Sequence, residues 1–224
     1  MRQVIETILK ARLVGIIRMS RYEHPVEVAS ALLAGGFLVI EFTLNGEGAL
    51  QAISAARAAL GQEIHIGAGT VMTPSAVADA AAAGAEFIVT PAVNMKVIDA
   101  CHLHGLPIVC GAFTPTEISS AVEAGAALIK LFPARMGGPA YVRDLLAPMP
   151  DLRLVPTGGV SAENAGHYLE AGAAAVAIGG NLVSHDIVSN RLFSEITARA
   201  EKCVQAVAGG KATAIPKHQA GFSV

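Results

Sequence analysis

Two charged residues interrupt apolar runs that otherwise have the character of buried strands. Lys130 stands within the run 128–132, and Glu41 stands within the run 37–44. Because side chains alternate between the two faces of a strand, each charged residue lies opposite the apolar neighbours that must meet the surrounding helices. The alternation therefore predicts that both side chains point into a shared interior.

A buried lysine has distinctive chemistry. Burial disfavours the ammonium form and lowers the pKa from about 10.4 by up to a few units. The neutral amine of Lys130 would be a nucleophile for ketones, and the carboxylate of Glu41 would be its acid–base partner. The alternatives are a salt-bridged or phosphate-anchoring Lys130, and a Glu41 paired with Arg18 or Lys130 for stability, although buried pairs stabilise poorly.

Further candidates follow other apolar runs. Arg18 ends the first run, and its planar fork suits a carboxylate. Thr70 follows a stretch with Gly67 and Gly69, where the missing side chains would let the backbone approach a ligand. Two glycine-rich turns expose N–H groups of the kind that hold phosphate in barrels, and they comprise Thr157, Gly158 and Gly159, then Gly179 and Gly180.

The elements that must position these residues alternate regularly along the chain. Eight apolar runs are separated by Ala-rich segments of helical period, and they span 13–19, 37–44, 64–71, 87–91, 107–113, 128–133, 153–160 and 175–180. Each of four predicted helices closes with an Ala-Gly signal, because glycine accepts the left-handed conformation after the last turn. Repeated strand–helix units with short turns require parallel strands.

This alternation predicts the α/β class and a TIM (β/α)8 barrel, whose site lies at the carboxyl ends of the strands. Residues 2–11 are predicted to form an extra N-terminal helix that closes the barrel floor. We expect a single barrel domain over 1–208, and Ser161 with Asn164 signals the start of the helix after the seventh apolar run. The segment 209–224 shows neither a helical nor a strand-like period of apolar residues, which predicts an irregular C-terminal tail.

Composition excludes several functional classes. Hydrophobic residues make up 53% of the 224 residues, charged residues 15%, and the net charge is −2. That balance fits neither disorder nor nucleic-acid binding. Charged residues interrupt the apolar N-terminus, which predicts no signal peptide and no membrane span. The three cysteines have no metal-ligand spacing, so a cytoplasmic enzyme without a metal is expected.

Six stretches together resemble a known family in content and order. The chain is similar to the class I 2-keto-3-deoxy-6-phosphogluconate (KDPG) aldolases, a family that includes 4-hydroxy-2-oxoglutarate (KHG) and 2-keto-3-deoxy-6-phosphogalactonate aldolases. The resemblance covers residues 1 to about 206. It is carried by VIEFTLN at 39–45, IGAGTV at 66–71, IVTP at 88–91, IKLFPA at 129–134, PTGGV at 156–160 and AIGGNLV at 177–183.

The resemblance implies a homotrimeric barrel that cleaves a phosphorylated keto-acid to pyruvate and an aldehyde without a metal or organic cofactor. It implies that Lys130 is the Schiff-base lysine, that Glu41 is the general acid–base and that Thr70 lies near the pyruvyl carboxylate. It places the phosphate among the glycine turns. Pro91 and Phe132, within two of the matching stretches, are expected to contact substrate.

One departure from the family pattern bears on specificity. Gluconate-type members often carry Arg four residues after the catalytic Glu, whereas this chain has Asn45. Galactonate-type members resemble this chain here and have an arginine at the end of strand one. Arg18 is therefore a candidate to supply the guanidinium that is missing at position 45. Because the later glycine motifs look more like gluconate and hydroxyglutarate members, the configuration at C4 stays open.

Two other classes of function are compatible with the pattern. One is a phosphate-binding isomerase or epimerase barrel in which Lys130 binds substrate without a covalent bond. The other is a non-catalytic barrel that senses a sugar phosphate. The inward pair of Glu41 and Lys130 argues against the second.

Overall fold

The computed structural model describes residues 2–180 and 182–209. The strands are β1 Leu13–Ile17, β2 Val39–Thr43, β3 His65–Gly69, β4 Ile88–Val89, β5 Ile108–Ala112, β6 Leu128–Leu131, β7 Leu154–Pro156 and β8 Val176–Ile178. The α-helices are α1 Arg2–Ala11, α2 Pro25–Ala34, α3 Ala49–Leu60, α4 Pro74–Ala82, α5 Met95–Leu103, α6 Pro115–Glu123, α7 Gly138–Leu146, α8 Ala165–Glu170, α9 His185–Ser189 and α10 Phe193–Ala208. A 3₁₀ turn, Ala134–Met136, follows β6.

The eight strands form one parallel sheet in the order β7-β6-β5-β4-β3-β2-β1-β8. The two outer strands of this order meet through a parallel bridge between Thr157 and Ala177, and the N–H of Ala174 donates to the carbonyl of Leu154 at 2.9 Å. The ring is thus nearly closed, and the predicted (β/α)8 barrel with an extra N-terminal helix is confirmed. Strand β4 is shorter than the predicted run 87–91, since only Ile88 and Val89 pair as a strand.

The apolar core is divided by the sheet into two layers. The lumen holds one cluster of inward side chains, and Val4, Ile5 and Ile8 of α1 pack against it from below. The larger cluster lies between the outer face of the sheet and the helices. Helix α1 therefore closes the barrel floor, as predicted, and leaves the carboxyl ends of the strands as the open mouth.

Helix boundaries follow local chemistry. Glycines with positive φ end α2, α4, α6 and α8, and they are Gly36, Gly84, Gly125 and Gly172. The Thr73 and Thr114 side chains cap α4 and α6 by accepting from backbone N–H groups. The signal at Ser161 is different: α8 begins only at Ala165, because the Asn164 side chain accepts from the N–H of Ser161 instead of capping the helix.

Helix α10 ends at Ala208, with Gly209 at its C-cap. The rest of the predicted tail, 210–224, lies outside the described residues, and its irregular character stays a prediction. Within the residues that the structure describes, no helix combines the length and the apolar character needed to cross a membrane.

Candidate active site

Lys130 and Glu41 face each other inside the barrel. Lys130 is in β6 and Glu41 is in β2, four strands apart in the ring. Their side chains are 3% and 1% exposed, and Lys130 Nζ lies 3.9 Å from Glu41 Oε1. The outward neighbours Ile129 and Ile40 pack in the helix-facing cluster. Strand alternation thus directs both charged groups into the lumen.

The surroundings of this pair are apolar. A cavity of about 10 Å³, close to the space that a single water needs, is bounded by both charged residues and by the hydroxyl-bearing Thr157. The remaining walls are Val14, Ile16, Phe87, Val89, Val109, Val155 and Ala177. These apolar wall residues are not among those predicted from the sequence, although their inward-facing positions on the strands could have identified them. Its consequence is a low local dielectric around the pair.

Burial governs the ionisation of both groups. It lowers the pKa of Lys130, against the opposing effect of the Glu41 charge, and the Arg18 guanidinium adds to the lowering. Burial likewise raises the pKa of Glu41, and the charges of Lys130 and Arg18 oppose that rise. Desolvation therefore favours the neutral forms, which are the nucleophilic amine and the protonated carboxyl.

Neither carboxyl oxygen of Glu41 has a hydrogen-bond partner among the described residues. On one side, the carboxyl group lies against Gly69 of β3: a Cβ at that position would be 2.7 Å from both Cδ and Oε1. Farther down the same face, a Cβ on Gly67 would be 2.5 Å from the Phe87 ring. Two side chains of the protein itself thus occupy the space beside these glycines, and the expected approach of a ligand to this stretch stays a prediction.

Arg18 lies at the mouth, exposed and one residue beyond β1. Its charge acts on the pKa values of both Glu41 and Lys130. Asn45, also exposed, follows β2 on the neighbouring loop. The structure therefore brings the predicted guanidinium to the side of the mouth where Asn45 stands.

Tyr22 ties the loops after β1 and β2 together, a role that the sequence did not suggest. Its hydroxyl lies 2.9 Å from the Ile17 carbonyl and 2.8 Å from the Thr43 carbonyl, and the Thr43 hydroxyl is 3.1 Å away. Its N–H donates to the carbonyl of Glu47 at 3.0 Å. These bonds fix the end of β1, directly before Arg18, and the end of β2, which carries Glu41.

Three further predicted residues follow strands at the same end of the barrel, and one of them contacts the amine. The ring centroid of Phe132 lies 5.4 Å from Lys130 Nζ. Pro91, half-buried after β4, packs its backbone against Gly111, which pairs in register with Lys130. Thr70 is half-buried with a φ of 56°, a conformation that costs energy for a β-branched residue and is often found at functional sites.

The glycine turns frame the mouth on the β7 and β8 side. Thr157 is buried and donates to the Val155 carbonyl at 3.0 Å. Gly158 and Gly159 have φ values of 86° and 89°, which l-residues with side chains rarely adopt. At Gly180, by contrast, an added Cβ would meet nothing within 4 Å. Open space thus lies beside Gly180 in the second turn, whereas Gly158 and Gly159 of the first turn lie against Phe132 and Arg135.

All the predicted site residues lie in the lumen or on loops that follow the strands, at one end of the barrel. Among residues 2–180 and 182–209, no group of three or more His, Cys, Asp and Glu side chains could hold a metal ion.

The fold and the buried pair define a class of protein: a (β/α)8 barrel with a desolvated amine and a carboxyl group at the catalytic end of its strands. Residues 4–199 match the profile of the aldolase family described as KDPG and KHG aldolase. The chain therefore belongs to the KDPG and KHG aldolase family.

Individual relatives agree with this assignment. The 2-dehydro-3-deoxy-phosphogluconate aldolase of Treponema pallidum (strain Nichols) is 35% identical over 206 residues, covering 91% of this chain and 97% of that protein. The 2-dehydro-3-deoxy-6-phosphogalactonate aldolase of Escherichia coli (strain K12) is also 35% identical, covering 77% and 85%. The Legionella pneumophila KDPG aldolase structure, with pyruvate captured as a covalent carbinolamine, has a TM-score of 0.80 at 28% identity, covering 88% and 96%.

Proposed function

We propose that this protein is a class I aldolase that reversibly cleaves a 2-keto-3-deoxy-6-phospho sugar acid, KDPG in the first instance, to pyruvate and glyceraldehyde 3-phosphate. The observation that carries the proposal is the buried pair, with Lys130 Nζ 3.9 Å from Glu41 Oε1. The Legionella relative that holds pyruvate as a carbinolamine supports a covalent route.

Lys130 forms the covalent intermediate. The lone pair of its neutral amine attacks C2 of the keto-acid and gives a carbinolamine, which loses water to become an iminium. Because burial lowers the pKa of Lys130, a larger share of the amine is neutral at ordinary pH than in a free lysine. The iminium then accepts electrons from the bond that breaks.

Glu41 moves the protons. As a carboxylate, it takes the proton of the C4 hydroxyl, directly or through a water. The C3–C4 bonding pair flows into the iminium and leaves an enamine, and glyceraldehyde 3-phosphate departs. Protonation of the enamine at C3 and hydrolysis release pyruvate and free Lys130. A carboxyl whose pKa is raised by burial is suited to give a proton as well as take one.

The mouth binds the two ends of the substrate. Arg18 and Thr70 bind the pyruvyl carboxylate, while the backbone N–H groups of the turns at Gly158–Gly159 and Gly179–Gly180 bind the phosphate. The Phe132 ring lies 5.4 Å from the amine, and Pro91 after β4 is proposed to contact the substrate. Binding at the remote phosphate orients the reacting carbons over Lys130.

The test is release of pyruvate from enantiopure KDPG, measured for the native protein, Lys130→Ala and Lys96→Ala. Lys96 is an exposed lysine on α5 and serves as the matched control. We expect activity for the native protein and Lys96→Ala, and only background release for Lys130→Ala. Equal activity in all three proteins would favour a rival barrel chemistry without covalent lysine.

A second candidate substrate is the galactonate epimer at C4. Arg18 at the end of β1 beside the exposed Asn45 favours it, and an Escherichia coli galactonate-type relative is 35% identical. Rates with both epimers and with unphosphorylated 4-hydroxy-2-oxoglutarate, measured side by side, decide between them. A preference of tenfold or more for the galactonate epimer would make it the primary substrate.

The proposal extends to a homotrimer in the cytoplasm. The family resemblance supports the trimer, and exposed apolar side chains at Met72 and Met95 near the mouth supply surface for it. The three free, buried cysteines fit a reducing compartment. Light scattering at micromolar concentration tests the assembly, and a monomeric mass would refute the trimer.

A further inference from the structure

Gly69 is the part of the barrel wall against which the Glu41 carboxyl lies. A Cβ built on Gly69 would be 2.7 Å from Glu41 Cδ, 2.7 Å from Oε1 and 3.0 Å from Oε2. All three heavy atoms of the carboxyl are thus in contact range of one position. The two residues come from neighbouring strands, because β2 pairs with β3 and places Thr43 beside Gly69.

The backbone does not require glycine at this position. Gly69 is absent from the glycines with positive φ, whereas Gly158 and Gly159 are among them. Alanine could adopt the Gly69 conformation without strain. The need for glycine therefore arises from the space that the Glu41 side chain occupies.

Packing rather than hydrogen bonding fixes the carboxyl. Neither Glu41 oxygen has a hydrogen-bond partner among the residues that the structure describes. The group is held between the β3 backbone at Gly69 and the Lys130 amine, 3.9 Å away. A methyl group at position 69 would displace it from this place.

We infer that Gly69 is a positioning residue for the reaction, which holds the Glu41 carboxyl at proton-transfer distance by leaving room for it. The inference rests on the proposed function, in which Glu41 moves protons at C3 and at the C4 hydroxyl. Proton transfer depends steeply on donor–acceptor placement, while attack by Lys130 does not use the carboxyl position to the same degree.

Two readouts on the full-length protein separate these steps. Exchange of the pyruvate methyl protons in D₂O, followed by NMR, reports proton transfer to the enamine. Borohydride trapping of pyruvate, followed by mass spectrometry, reports formation of the Schiff base on Lys130. For Gly69→Ala we expect exchange to fall at least tenfold while the trapped fraction stays within twofold. Unchanged exchange would overturn the inference.

Gly67→Ala is the matched control on the same strand and face. Its added Cβ would meet the Phe87 ring at 2.5 Å rather than the carboxyl. We expect this variant to lower the melting temperature while the ratio of exchange to trapping stays within twofold of the native ratio. A ratio that falls as far as in Gly69→Ala would mean that any crowding of the lumen has the same effect, and would overturn the inference.

A cycle with Glu41→Ala tests whether Gly69 acts through Glu41. Without the Glu41 side chain the new methyl has room, so Gly69→Ala should change the residual exchange less than twofold and the melting temperature by less than about 3 °C. In the protein that retains Glu41, Gly69→Ala should lower both the exchange rate and the melting temperature. A protein with Gly69→Ala that does not fold, beside a folded double variant, also supports the inference; a double variant that fails to fold overturns it.

Failure of the inference differs from failure of the proposed function. A native protein with neither adduct nor exchange refutes the proposed function, and the melting-temperature cycle still tests the contact. If the native protein shows both adduct and exchange, and Gly69→Ala leaves the exchange unchanged, the inference is refuted and the proposed function is not.

Discussion

The Lys130 amine and the Glu41 carboxyl meet across the barrel at 3.9 Å, and neither is more than 3% exposed. They come from β6 and β2, on opposite sides of the ring. Such a pair is expensive to desolvate and contributes little to stability. The arrangement is thus better explained by the chemistry of a neutral amine and a carboxyl than by the fold.

Arg18 should control the pH dependence of adduct formation. Burial lowers the pKa of Lys130 and the Arg18 charge lowers it further, so the rate of pyruvate trapping should rise with pH through that lowered pKa and level off below the ordinary value of about 10.4. Removing the charge in Arg18→Gln raises the pKa of Lys130. Its trapping midpoint should therefore move to higher pH, as measured by initial trapping rates across pH.

The neighbouring exposed Arg21 is the control for this shift. Arg21→Gln should leave the midpoint in place, since Arg21 is not among the charges that act on Lys130. A midpoint that stays fixed or moves to lower pH in Arg18→Gln contradicts the electrostatic argument.

Replacing the pair by apolar residues should stabilise the protein. The double variant Lys130→Met/Glu41→Leu removes two buried ionisable groups, and the Glu41 carboxyl has no hydrogen-bond partner among the described residues. Its free energy of unfolding should rise by roughly 1–4 kcal/mol, as measured by urea denaturation, while cleavage is lost. A double variant less stable than the native protein would show that the pair contributes to the fold.

Gly180→Ala should weaken phosphate binding without changing the fold. An added Cβ meets nothing within 4 Å, and Gly180 is not among the glycines with positive φ. If the phosphate approaches this backbone, the methyl group obstructs a charge-assisted hydrogen bond of about 1.5–3 kcal/mol. The KM for phosphorylated substrate should rise about 10- to 100-fold, with an unchanged melting temperature.

Gly166→Ala on α8 is the control, because its Cβ also has room and its nearest neighbour is the Ala206 carbonyl of α10, 3.9 Å away. It should leave KM unchanged. An equal effect of Gly180→Ala on unphosphorylated 4-hydroxy-2-oxoglutarate would assign the defect to something other than the phosphate.

Strand alternation was sufficient to orient the central residues from the sequence. Lys130 and Glu41 interrupt apolar runs, so their faces follow from local periodicity. The barrel followed from eight repeated units, and the left-handed glycines, such as Gly172, from helix-end chemistry. These features depend on residues close together in the chain.

The contacts of the site depend on which strands become neighbours and how they tilt, and this was not readable from local pattern. Gly69 accommodates Glu41 because β2 pairs with β3 in one register. Tyr22 reaches Thr43 across two loops. For the same reason, the sequence did not show that the side chains of Glu41 and Phe87 lie against Gly69 and Gly67.

The most direct test of the central claim is borohydride reduction in the presence of pyruvate, followed by peptide mass mapping. The account predicts one stable adduct, carried by the peptide that contains Lys130, and none in Lys130→Ala. An absence of adduct in the native protein, or an adduct on an exposed lysine such as Lys96, would contradict it.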